Sequence, residues 1–210
     1  MLPDGSIVGG GAIITWFAID INGRMAMFIN NRFGSVPKCV QELGNVCQLL
    51  RELGEFAWGE SGNYPSFTMG QGGGFSVDMY SYWLNKDASR SDLTRELQEE
   101  FDRYGVNSDA SIAIERGMYL FFAVEGNSVG DDCPVGCDRP VKMGDYYRYL
   151  VPEVCSGINN IPEELRGTFA RTRSIDFSKD RLLVRELIDV YFPEVFPAPD
   201  GVGRVAAGCE

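Results

Sequence analysis

Apolar and polar positions fall into blocks along the chain, and the blocks predict a short series of elements. Residues 12–20, AIITWFAID, and 24–30, RMAMFIN, are rich in β-branched and aromatic residues and flank Asn22-Gly23. Asn-Gly supplies the two positive-φ positions of a type I′ turn, so this stretch is predicted to be a β-hairpin. Beyond it Val40, Leu43, Val46, Cys47, Leu50 and Leu53 recur every three or four residues. That spacing predicts an amphipathic helix entered through Pro37 and ended at Gly54.

Residues 55–74 hold frequent glycine and serine without periodicity and read as a surface loop ending in Gln71-Gly72-Gly73-Gly74. Residues 75–84 are aromatic and partly alternating, which predicts a strand. After Ser91-Asp92, Leu93, Leu97, Phe101 and Tyr104 line one face of a second helix closed by Gly105. A helical turn over 110–116 stops at Gly117, and the apolar run 118–124 predicts a strand buried on both faces. Residues 146–151 are its expected partner, with 125–145 as a long loop. Pro162 with Glu163 and Glu164 predicts a short helix, since proline suits its first position and acids its positive end. Ser178 is expected to cap a last helix through Leu183, Leu187, Ile188 and Tyr191. No linker or repeat splits the chain. The pattern therefore predicts a single α+β domain over residues 1–192, a mainly antiparallel sheet with amphipathic helices packed on it, and an irregular tail over 193–210.

Composition narrows the chemistry. The 210 residues are 44% hydrophobic and 23% charged, which is the profile of a soluble globular chain. The chain has no histidine, so the commonest general base, triad member and zinc ligand is missing. Its formal charge of −11, divided almost evenly between the two halves, repels nucleic acid and anionic lipid and favours a basic partner. The first basic residue is Arg24 and the apolar run over 7–19 is broken by three glycines, so neither a secretory signal nor a membrane span is expected. Six sparse cysteines suggest reduced thiols and a cytoplasmic location.

Few constellations could carry catalysis. Cys133 and Cys137 flank Pro134-Val135-Gly136 beside Asp131, Asp132 and Asp138, but the other thiols supply no second close pair for zinc. None of the four lysines stands in a Ser-x-x-Lys arrangement that could activate a nucleophile. The doublets Glu99/Glu100 and Asp131/Asp132 need partners from elsewhere to act as paired carboxylates. Neither glycine triplet has the spacing of a phosphate loop, and the aromatic clusters lack interleaved basic residues. No cofactor and no catalytic residue is expected.

The segment 16–28, WFAIDINGRMAMF, followed by Gly34-Ser35-Val36-Pro37, resembles the opening of a large group of bacterial proteins with an aromatic, Asp-x-x-Gly hairpin. Glu115-Arg116-Gly117-Met118-Tyr119, then residues 146–152, then Ile161-Pro162-Glu163-Glu164-Leu165 resemble the later blocks of that group in the same order. The group is similar to the immunity proteins of bacterial polymorphic toxin systems. That resemblance implies a small acidic cytoplasmic protein, not an enzyme, that binds a cognate toxin and occludes its active surface. The candidate contact residues in this chain are Glu96, Glu99, Glu100 and Asp102 on the second helix and Asp131, Asp132 and Asp138 in the long loop. The alternatives are a carboxylate- or metal-dependent enzyme that needs no histidine and a non-catalytic regulatory binding module.

Overall fold

The computed structural model describes residues 11–65, 73–85, 87–126 and 133–197. In chain order its strands are β1 (Thr15–Ile19), β2 (Met25–Ile29), β3 (Phe75–Val77), β4 (Tyr119–Ala123), β5 (Tyr146–Pro152), β6 (Ala170–Arg171), β7 (Leu182–Leu183) and β8 (Glu194–Val195). The helices are α1 (Lys38–Gln41), α2 (Val46–Trp58), α3 (Tyr82–Asn85), α4 (Arg90–Tyr104), α5 (Asp109–Glu115), α6 (Glu163–Arg166) and α7 (Ile188–Tyr191). All the described strands join one eight-stranded sheet in the order β3-β5-β4-β2-β1-β6-β8, with β7 beside β3 on the outer edge of β5. The pairs β2–β4 and β1–β6 are parallel and the others antiparallel, so the fold is the expected single α+β unit with a mostly antiparallel sheet.

The opening hairpin forms where the pattern places it, with Trp16 opposite Phe28, but its turn is not type I′. Gly23 is left-handed at φ +78 and Asn22 is not. Gly23 N–H donates to the Asp20 carbonyl and Asp20 N–H to the Arg24 carbonyl, which makes a three-residue loop with the glycine in the bulge position. Asp20 decides this: its buried Oδ1 accepts from the N–H groups of Asn22 and Arg24 at 2.8 and 2.9 Å.

The first predicted helix is two. Asn45, at φ 57, separates α1 from α2, and α2 runs through Gly54 to a left-handed Gly59. Continuing past Gly54 buries Phe56 and Ala57, which outweighs the cost of one interior glycine, about 1 kcal/mol. The strand expected over 75–84 is only β3, followed by α3. Helix α4 starts one position before Ser91, because Ser89 and Asp92 form a reciprocal capping box. The last expected helix is not continuous from Ser178. Its hydroxyl donates to Asp176 Oδ1 at 2.6 Å, Leu183 pairs with Tyr146 as part of β7, and only Ile188–Tyr191 is α-helical. Past residue 192, β8 adds to β6; residues 198–210 lie outside the described residues.

The central strands are buried on both faces. Phe17, Ile19, Met25, Met27, Ile29 and Leu120 pack with Ile112 and Ile114 of α5 and Leu93 of α4 on one side. Trp16, Ala18, Phe28, Phe121 and Tyr146 pack with Phe177, Leu183, Ile188 and Phe192 on the other. Helix α2 serves both, Leu53 and Phe56 on the first side and Val46 and Leu50 on the second. On the second side Trp16, Phe28 and Phe121 form a row across three neighbouring strands. Their rings stack at 4.1 and 4.7 Å between centroids, and Tyr146 meets Trp16 and Phe28 edge-on.

Tyr146 closes that row: its hydroxyl accepts from Trp16 Nε1–H at 3.0 Å and donates to the Ser35 carbonyl at 3.1 Å. A Cβ at Gly34 would lie 2.5 Å from the same phenol, so only glycine fits beneath the ring. Tyr146→Phe leaves both Trp16 and Ser35 without that partner and is expected to cost about 1–3 kcal/mol of unfolding free energy in chemical denaturation. Gly34→Ala, which drives a methyl group into the ring, is expected to lower the denaturation midpoint at least as far.

Candidate functional site

Helix α4 carries the principal cluster of predicted contact residues. Its apolar stripe buries Leu93 and half-buries Leu97 and Phe101. Glu96, Glu99 and Asp102 are exposed and Glu100 is half-buried. Tyr104 leaves the stripe on which its spacing places it and stands 62% exposed, beside Arg103 at 5.7 Å from its ring.

Internal pairing covers these acids only in part. Arg95 reaches Asp92 at 3.2 Å and Glu99 at 4.0 Å. Asp102 accepts from Gln98 at 2.8 Å and Glu100 from Asn107 at 3.2 Å. Among the described residues the Glu96 side chain makes no hydrogen bond or ion pair. Beneath the helix, burial pushes the Tyr149 phenol up to about 12, with the charges of Glu100 and Glu96 adding to the effect.

Asp138 is exposed and adds to the negative field that holds the Arg181 guanidinium charged, after the hydrogen bond that Arg181 donates to Asp78. The turn before it abuts the first residue of α4, because a Cβ on Gly136 would meet the Arg90 guanidinium. Asp138 thus belongs to the N-terminal end of α4, roughly 15 Å along the axis from the acids of its last turns. Asp131 and Asp132 lie outside the described residues.

The buried charges, which spacing does not single out, have a different role. Asp78 is gripped by two guanidinium groups, Arg148 Nη2 and Arg181 Nη2, each at 2.7 Å. Burial raises its pKa, but the two cations win and leave its carboxyl below the usual value. Arg148 Nη1 also donates to the Phe177 carbonyl at 2.6 Å and Arg181 Nη2 to the Gly136 carbonyl at 3.0 Å. Asp20 Oδ2 accepts from Phe177 N–H at 3.1 Å, and Asp176 is held below the usual carboxylate range by the Ser178 hydroxyl, with Lys179 assisting. Arg116 donates from Nε to the Ala57 carbonyl at 2.9 Å, where a cation suits the negative end of α2. These groups are saturated by the fold and work as fasteners.

An open depression of about 350 Å³ is lined by Ile13, Asn31, Arg32, Phe33 and Glu125. Asn31 and Arg32 are left-handed there, at φ 45 and 71, because Asn30 folds the chain back: its Oδ1 accepts from Ile14 and Arg32 N–H and its carbonyl from Phe33 and Gly34 N–H. Among the described residues no group of three or more Cys, Asp or Glu side chains could hold a metal ion, and no helix is long and apolar enough to cross a membrane. No protein-family model, curated protein or solved structure matches the chain.

Asp78→Asn would leave two guanidinium groups facing a neutral amide and is expected to cost about 3–5 kcal/mol. Because the Asp78 and Asp176 carboxyls titrate lower in the folded chain, their stabilisation is complete above the unfolded value near about 4 and is lost as pH falls through the folded values. Half-buried Asp109, raised by burial, opposes this, so the expected net result is a denaturation midpoint that drops below about pH 4 and drops less in Asp78→Asn. At the alkaline end the Tyr149 shift favours the fold up to about pH 10 and loses that effect as pH rises to about 12. Glu96→Gln with Glu100→Gln is expected to bring the late phase of a phenolate absorbance titration to lower pH.

Proposed function

We propose that this chain is a cytoplasmic, non-catalytic protein that binds and neutralises a cognate bacterial toxin through the acidic face of α4, acting as an immunity protein. The observation that carries the reading is where the acids sit. Glu99, Glu100 and Asp102 occupy the last turns of α4, the negative end of its dipole, where cations are favoured and only Arg103 is basic. Glu96 stands four residues from Glu100 and three from Glu99, so like charges also repel along the face. The helix gives up stability there that a basic partner would restore, and local rules broken with only partial internal compensation are characteristic of functional sites. Exposed Tyr104, one turn beyond Glu100, adds a large, rigid contact side chain of the type that dominates binding energies.

The face is the outer surface of a helix, and the depression near Arg32 carries a single acid, Glu125. This arrangement favours a docking surface over a carboxylate-lined catalytic cleft. The −11 charge adds long-range steering toward a basic toxin surface and weakens with salt.

The test is neutralisation. The protein is purified from its own host at low ionic strength, a basic protein co-eluting at 1:1 is identified, and growth is measured when that protein is expressed with each variant. Glu96→Lys with Glu100→Lys is expected to weaken the complex about 100-fold and abolish protection, and Tyr104→Ala to weaken it about 10-fold, in line with losses of roughly 1–3 kcal/mol at interface centres. Glu163→Lys with Glu164→Lys, on α6, should leave both unchanged. Equal loss from both charge reversals would remove α4 as the binding face, and a folded wild-type protein that protects against no co-eluting partner would remove the immunity reading.

A further inference from the structure

We infer that Cys133 and Cys137 are a modification site, forming a reversible intramolecular disulfide with a thiol-specific oxidant of the disulfide class. Both thiols converge on one acceptor: Cys133 Sγ lies 3.6 Å and Cys137 Sγ 2.9 Å from the Arg139 carbonyl oxygen. The two sulfurs are therefore no farther apart than the sum of those distances. Between them the chain makes a β-turn in which Cys137 N–H donates to the Pro134 carbonyl at 3.1 Å and Gly136 sits at φ +88. That is the third position of a type II turn, where glycine is required.

The turn is pinned from outside as well. Val135 and Tyr80 exchange backbone hydrogen bonds at 2.9 and 3.3 Å, and the Gly136 carbonyl takes the Arg181 guanidinium. The two cysteines thus flank a fixed turn, and bringing sulfur to sulfur calls on side-chain rotation more than on ordering of the backbone. The other described thiols are placed differently. Cys39 donates to the Phe192 carbonyl at 3.3 Å and burial pushes it up to about 11, which removes its thiolate at neutral pH. Cys155 faces the Tyr119 hydroxyl at 3.7 Å, and Cys47 is exposed on α2.

Cys133 is exposed and Cys137 half-buried, which sets the order of events. The Cys133 thiol gives its proton to solvent, and its thiolate attacks one sulfur of oxidised glutathione and expels the other half as a thiolate. The Cys137 thiolate then attacks Sγ of the mixed disulfide and expels the second glutathione. Two protein thiols lose two electrons and two protons, one oxidised glutathione becomes two reduced ones, and the Arg139 carbonyl loses both S–H donors. The step is independent of any partner, although it encloses the chain immediately before Asp138.

The full-length protein, reduced and desalted, is incubated with oxidised glutathione, quenched in acid, alkylated after unfolding and digested with trypsin. Cleavage after Arg116 and Lys142 leaves both cysteines in one peptide, since Arg139 precedes proline. The expected result is that most of this peptide is unalkylated and two hydrogens light, while Cys39, Cys47 and Cys155 are alkylated or singly glutathionylated. Dithiothreitol restores the alkylated form. In Cys133→Ser the light peptide is absent and Cys137 carries glutathione or the alkyl group. Wild-type protein that stays folded by circular dichroism yet shows both cysteines alkylated or each glutathionylated overturns the inference, and so does a disulfide linking two copies of the chain on a non-reducing gel.

Discussion

A sheet whose central strands are apolar on both faces must be covered twice, and the rest of this structure follows from how the two covers are made. On one side α4, α5 and the second half of α2 bring their own backbone hydrogen bonds with them. On the other, the cover is largely the chain from 172 to 192, whose Ile175, Phe177, Leu183, Ile188 and Phe192 fill the aromatic row although only short stretches of it are regular. Irregular chain brought against an apolar sheet carries polar groups that nothing nearby can satisfy, at a cost of about 1–3 kcal/mol each.

The buried charges answer that need. Phe177 is held at both ends of its peptide, its N–H by Asp20 Oδ2 and its carbonyl by Arg148 Nη1. Arg185 N–H is taken by Asp145 Oδ1 at 2.8 Å, Arg148 N–H reaches the Arg181 carbonyl at 2.8 Å, and the Thr172 hydroxyl accepts from Ser174 and Ile175. Asp78 then bridges the two arginines that this arrangement brings together and offsets one of their two charges. A buried ion pair is weak support for stability by itself. Here it ties an irregular segment to the sheet, and among the described residues no buried side-chain nitrogen or oxygen is left without a hydrogen-bond partner.

Legibility in the sequence follows the same division. The two hairpin strands, β4 with β5, α5 and the start of α6 are local patterns closed by local signals, so residues 15–19, 25–29 and 118–124 can be read directly. The boundaries that resist are those decided at a distance. Helix α2 passes Gly54 because Phe56 and Ala57 have a core to enter, and just beyond the three-residue β3 the Asp78 carboxylate meets Arg148 and Arg181, seventy and more residues away. Leu183, Leu187, Ile188 and Tyr191 keep a helical spacing, yet the sheet edge at Tyr146 claims Leu183 as a strand residue. For the candidate site, spacing places Glu96, Glu99, Glu100 and Asp102 on α4, and it wrongly assigns Tyr104 to the buried stripe.

The carboxylates therefore separate into two populations, and the separation shapes the proposed interface. Asp20, Asp78, Asp145 and Asp176 are turned inward and matched atom for atom, so their charge is committed to the fold. The α4 acids are matched by one arginine and neutral amides, which leave most of their field outside. Exposed charges of this kind speed encounter and select sign, while contributing modestly to residence time. Tyr104 supplies what they lack, apolar area with few rotors to freeze. On the proposed reading a partner needs a basic groove wide enough for one helix, with an apolar recess near the helix end. A toxin cleft built to hold an anionic substrate has the first property, and an α4 seated in it would exclude that substrate by charge and by volume together.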